Sequence, residues 1–142
     1  MTSLSPDTLI LDGEVRVYNN KLISRLEWLR ARPTGEPATP PIVMAFNCLW
    51  VSGDDLRAKG LHVSRDQLEG AVAGQDVILP ARRLADDGLK AWKQVVASGY
   101  EGLVAKGPAL PYRASRTLWL KVKVPKYREG ERGWDPRPSN RG

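Results

Sequence analysis

Cysteine and histidine each occur once in these 142 residues. One thiol excludes an internal disulfide framework. Cys48 lies inside the apolar run over 42–50, where a buried, inert thiol is expected. A single His62 cannot by itself build a metal site or a Cys–His pair, so a surface position is expected for it. No apolar run approaches the length of a membrane span. The opening segment, Met1-Thr2-Ser3-Leu4-Ser5-Pro6-Asp7, has neither the basic nor the apolar stretch of a secretory signal. The expectation is a cytoplasmic protein with no membrane partner. Acidic residues are missing from Gly102 to Arg128, whereas Lys106, Arg113, Arg116, Lys121, Lys123, Lys126 and Arg128 all fall there. Charges so short of internal partners favour an anionic partner such as nucleotide or nucleic acid, with a solvated cationic surface as the alternative.

What is present fits one compact soluble domain: 42% hydrophobic, 27% charged, net charge +6. Residues 8–18 alternate, with Leu9, Leu11, Val15 and Val17 set against Asp12, Glu14 and Arg16, which predicts a strand. Asn19-Asn20 predicts a tight turn, since Asn tolerates positive φ. Leu22, Leu26 and Leu29 at helical spacing predict a short amphipathic helix stopped by Pro33. A proline-rich loop over 33–41 follows. Residues 42–50 predict a central strand buried on both faces, and Gly53-Asp54-Asp55 a turn. Ser64 with Gln67 has the form of a capping box, which predicts a helix from Ser64 towards Ala73.

Further on, Val77-Ile78-Leu79 predicts a short strand ended by Pro80, and 87–98 a helix burying Leu89, Trp92 and Val95 or Val96, stopped by Gly99. Strands are predicted over 100–106 and 117–124. In the latter, Trp119, Lys121 and Lys123 share one face, and Leu118, Leu120, Val122 and Val124 the other. Residues 125–142 lack an apolar period and predict a linker or disordered tail after a domain over 1–124. The class is α+β, with mainly antiparallel sheets and flanking helices.

Three groups of residues have chemical potential. Asp12 and Glu14, two apart on a strand, point to one face and offer oxygens suited to Mg²⁺, or form a solvent-facing acidic pair on an edge strand. Gly13 between them predicts a close approach to the backbone. Lys121 and Lys123, about 7 Å apart along one strand face, suit a phosphate, or are the exposed lysines that protect an edge strand. Glu101 shares its face with Leu103 and Ala105. A partly buried carboxylate there needs an ion or a lysine from the neighbouring strand.

Leu11-Asp12-Gly13-Glu14-Val15 resembles the third nucleotidyltransferase motif of ATP-dependent DNA ligases. Ala45-Phe46-Asn47-Cys48-Leu49, running into Ser52-Gly53-Asp54-Asp55-Leu56-Arg57, resembles the segment that walls their adenine pocket. Glu101-Gly102-Leu103-Val104-Ala105-Lys106 with Pro111-Tyr112-Arg113 resembles the fourth motif and the loop behind it. Trp119-Leu120-Lys121-Val122-Lys123 resembles the fifth. The order and separations of all of these match the family up to about Val124.

The resemblance implies an incomplete, ATP-grasp-like nucleotidyltransferase domain of the DNA ligase and mRNA capping enzyme type, using ATP, AMP and Mg²⁺. Phe46 would stack on adenine, and Glu14 would lie by the ribose and metal. Glu101 would help hold the cation, Lys121 and Lys123 would contact the α-phosphate, and Arg113 and Arg116 would meet DNA. The partner implied is nicked duplex DNA, sealed through an AMP intermediate in DNA repair and recombination. The family's nucleophile lies in a Lys-x-Asp-Gly motif, which occurs nowhere here: Asp12-Gly13 follows Ile10-Leu11, and Lys21 and Lys106 stand in other contexts. The OB-fold domain with the last motif would begin where these residues stop. The expectation is a fragment or truncated relative, inactive alone, completed by a second chain or copy. The alternatives are a non-catalytic DNA- or nucleotide-binding module, or an RNA ligase or capping-type enzyme.

Overall fold

The computed structural model describes residues 3–21, 24–112 and 119–125. Strand β1 (Leu9–Arg16) runs antiparallel along one edge of strand β2 (Ile42–Val51). The other edge of β2 is shared. Strand β3 (Asp54–Asp55) pairs antiparallel with Trp50 and Val51, and strand β4 (Ile78–Pro80) pairs in parallel with Val43 to Ala45. The near-continuous apolar run thus makes the central strand, as its sequence predicts, and Ala45 and Cys48 are fully buried. Ser52 (φ 44°) and Gly53 (φ 94°) make the β2–β3 hairpin turn, so Asp54 and Asp55 pair as a strand rather than form the turn.

Helix α1 (Leu61–Ala71) lies over β2 and closes the core of Ala45, Cys48, Leu56, Leu68 and Val72, with Leu9, Leu11, Val51, Val63 and Ile78 against it. Burying a side chain such as Leu68 contributes about 2 kcal/mol. The capping box predicted at Ser64 does not form: the helix starts three residues earlier, with Gly60 at its N-cap and no side-chain cap. Ser64 serves β2 instead, its hydroxyl accepting from the Cys48 N–H at 2.9 Å and donating to the Cys48 carbonyl at 2.8 Å.

Helix α2 (Gly88–Ser98) stops at Gly99 as expected, and its start is capped by Asp87. The Asp87 side chain accepts from the Lys90 N–H at 2.8 Å, and Gly99 ends the helix at φ 67°. It buries Ala91 and Val95, but Leu89 is 77% exposed, contrary to expectation, because it lies off the stripe those two residues set. Strands β5 (Gly102–Ala105) and β6 (Leu120–Lys123) form a separate antiparallel pair. The loop after β5 is tied to the start of α1: the Leu61 and His62 N–H groups donate to the Leu110 and Pro108 carbonyls, each at 3.0 Å, and the Tyr112 N–H to Arg57 at 3.1 Å. His62 itself is exposed.

Other departures concern segments that find little to pack on. Leu26–Leu29 form only a short 3₁₀ helix, with Leu26 53% and Leu29 38% exposed, while Leu22 lies outside the described residues. A bridge from Tyr18 to Ser24 keeps the chain extended too long for a full helix before Pro33. The turn at Asn19 uses its side chain rather than positive φ, with Oδ1 accepting from the Lys21 N–H at 3.0 Å. Val15 is 48% exposed rather than inward, since the core under α1 reaches only Leu9 and Leu11. Residues 126–142, assigned to a tail, lie outside the described residues.

Candidate functional site

The site begins with a fault in the β1–β2 ladder. Asp12 faces Asn47, but Gly13 faces Ala45, so Phe46 is an extra residue on β2 without a partner on β1. Such a bulge re-aims a side chain, and bulges gather near functional sites. It also brings the β2 backbone in close. A Cβ on Gly13 would lie 2.5 Å from the Met44 carbonyl oxygen and 2.9 Å from the Ala45 Cα, so the close approach expected at Gly13 is made by the protein itself.

Arg65, only 9% exposed, holds the bulge from the helix side. Its guanidinium donates to the Phe46 carbonyl at 3.0 Å and to the Ala81 carbonyl at 2.5 Å, and pairs with Glu69 at 3.2 Å. Burial works against the arginine's charge, and the Glu69 carboxylate offsets it. Sequence reasoning does not single out Arg65. The signal lies in its place among Leu61, Leu68 and Val72, a cation on the apolar stripe of a helix.

Lys106 is the second site residue that motif reading misses. Its ammonium sits 3.8 Å from the centroid of the Trp119 ring and 5.9 Å from that of Phe46. Burial pushes its pKa below the ordinary lysine value, while the Asp12 carboxylate pulls the other way and Arg65 adds to the lowering. Phe46 and Asp12 of the four-stranded sheet thus meet Trp119, just before β6, around one cation. Tyr112 packs edge-on against Trp119, with ring centroids 6.0 Å apart. Beside Phe46, the buried Asn47 amide donates to Asp12 at 3.3 Å, while its Oδ1 has no partner among the described residues.

The charged residues proposed from sequence divide into pairs. Glu101 meets Lys123 of the neighbouring strand at 3.2 Å, as a partly buried carboxylate there requires. Glu14 pairs with Arg16 two residues along its own strand. Lys121 stands opposite Val104, on the β6 face that also carries Trp119 and Lys123. No group of three or more metal-ligating side chains occurs among the described residues. Arg113 and Arg116 lie outside the described residues. Neither the depression beside Val51 and Gln67 nor that beside Tyr18 and Thr39 includes Phe46, Lys106 or Trp119.

Comparison with known proteins bears on the family and the fold. The family described as ATP dependent DNA ligase domain matches residues 2–123. DNA ligase 1 of Methanosarcina acetivorans is 29% identical over a match covering 92% of this chain and 26% of that protein. A probable DNA ligase of a Mycobacterium species (strain KMS) is 34% identical, with 80% of this chain and 26% of the relative covered. The solved structure of mycobacterial DNA ligase D complexed with ATP and MES superposes with a TM-score of 0.64 at 25% identity, covering 81% of this chain and 38% of that one. The chain therefore spans about a quarter of the length of these two curated relatives. It belongs to the ATP-dependent DNA ligase family, and its fold corresponds to part of the adenylation, or nucleotidyltransferase, domain of those enzymes.

Proposed function

We propose that this chain provides the base- and phosphate-binding part of a ligase nucleotide pocket, and that it serves the sealing of nicked duplex DNA when a nucleophilic lysine is supplied from beyond these residues. The observation that carries this reading is the Lys106 ammonium, which draws Phe46 of one sheet and Trp119 of the other strand pair to a single locus. Phe46 would stack on adenine, and the partnerless Asn47 Oδ1 is an acceptor suited to a donor such as an exocyclic amine. Lys121 and Lys123 would neutralise charge on the α-phosphate. Glu14 and Glu101 would hold Mg²⁺ near the ribose and phosphate, each giving up a cation that now pairs with it. Mg²⁺ bound there would screen the phosphate oxygens. Arg113 and Arg116 would meet the DNA backbone. ATP as ligand is supported by the related ligase D, solved with ATP.

The reaction lies in the cytoplasm in this reading; among the described residues no helix is long and apolar enough to cross a membrane. Incubation with labelled ATP and Mg²⁺ tests the proposal, alone and with the N-terminal part of a related ligase domain. Label appears on protein only in the mixture. Label on this chain by itself would mean that a nucleophile is present within it. A second reading, a non-catalytic nucleotide- or DNA-binding module, is favoured by the ion pairs that already occupy Glu14 and Glu101. In that case ATP binds without labelling, alone or in the mixture. In both readings Phe46→Ala weakens ATP binding by ~1–3 kcal/mol, the scale of base–aromatic stacking.

A further inference from the structure

Strand β2 has a gap along one edge. β4 covers Val43 to Ala45, and β3 covers Trp50 and Val51, while no strand among the described residues pairs with the backbone between. Buried peptide groups there need partners. The Leu56 N–H takes the Leu49 carbonyl at 2.9 Å, and two consecutive residues of α1 serve Phe46 and Cys48. Ser64 takes both the N–H and the carbonyl of Cys48, and Arg65 takes the carbonyl of Phe46 while anchoring to that of Ala81. The gap coincides with the bulge on the opposite edge that leaves Phe46 unpaired on β1. Phe46 therefore has no facing residue on β1, while Arg65 holds its carbonyl directly.

We infer that Arg65 is a positioning residue, which fixes the bulge so that the Phe46 ring is presented to its stacking partner. Three features support this. The guanidinium forms a two-carbonyl clamp, 3.0 Å to Phe46 and 2.5 Å to Ala81, that ties the bulge to the chain leaving β4. Its third partner, Glu69, is itself held by Arg83 at 2.6 Å, so the clamp is braced from behind. A planar fork with several fixed donors suits two carbonyls at once, whereas an ammonium concentrates its charge at one point. The functional value of this clamp rests on the reading of Phe46 as a base-stacking residue, but its effect on the ring does not.

Phe46 is the chain's only phenylalanine. Incorporation of 4-fluorophenylalanine into the full chain therefore gives one ¹⁹F resonance that reports on this ring alone. Arg65→Met keeps the aliphatic stem and removes both carbonyl bonds. It should move or broaden the resonance, and lower AMP affinity by roughly tenfold, the size expected for losing a charged hydrogen bond. Arg65→Lys should give an intermediate line and partial recovery of AMP binding. Val72→Ala loosens the same core without touching the clamp and should leave the resonance in place at equal folded fraction. A resonance unchanged in both Arg65 variants overturns the inference, as does one that Val72→Ala moves equally. If Arg65→Met does not fold, Arg65→Lys decides by the same criteria. A resonance that shifts in the variants of a wild-type chain that binds no AMP upholds the clamp and sinks the nucleotide-pocket reading instead.

Discussion

At the scale of single residues, the site is built by close approaches that admit few substitutions. Gly13 accepts no side chain, because the bulged β2 backbone fills the space where a Cβ would stand. Gly13→Ala should destabilise the protein by about 1–3 kcal/mol, the usual range for overpacking, as read from urea unfolding. Lys106 makes a pH-dependent prediction. Its pKa in the folded protein lies below the ordinary lysine value because of burial, so the unfolded chain binds the proton more readily between those two values. Its contribution to stability is therefore present at high pH and is lost as pH falls through the folded pKa. Thermal unfolding of wild type against Lys106→Met should show this alkaline rise only in the wild type; equal slopes in both proteins would contradict it.

At the scale of elements, helix α1 does more than cover a sheet. Its apolar stripe closes the core, and two polar residues on it substitute for a missing length of strand. Ser64→Ala leaves the Cys48 N–H and carbonyl buried without their partner. This should cost about 1–3 kcal/mol, more than an ordinary surface serine, by chemical denaturation. Strand β1 shows the opposite situation. No strand pairs with its second edge among the described residues, and Ile10 and Val15 are 55% and 48% exposed. An open apolar edge invites pairing. Sedimentation should show mass rising with concentration, and Val15→Lys should reduce the rise; a monomer at every concentration argues against a second chain or copy on this edge.

At the scale of the whole molecule, the +6 charge and its concentration beyond Gly102 predict salt-sensitive binding to nicked duplex DNA. Replacing Arg113 and Arg116 by alanine should reduce the slope of log affinity against log salt by about 0.9 for each phosphate left without its arginine. A slope unchanged by both replacements would mean that neither arginine neutralises a phosphate. The second strand pair reaches the first sheet through the loop after β5, tied by two backbone hydrogen bonds to α1 and by one to Arg57 before it, and through Lys106 itself. Weakening either link should therefore loosen the meeting of Phe46 with Trp119.

The sequence by itself determined where most of the strands lie along the chain, the central apolar strand, the Gly99 stop of α2 and the need of Glu101 for a cationic partner, since each rests on local periodicity, backbone chemistry or burial. It also held the motifs that mark the ligase family. Only the tertiary structure decided where Ser64 and Arg65 direct their hydrogen bonds, which lysine stands beside Phe46, and why Gly13 has no room. A bulge and a gap in a strand edge arise from how separate segments pair, and residue spacing along one segment does not encode them.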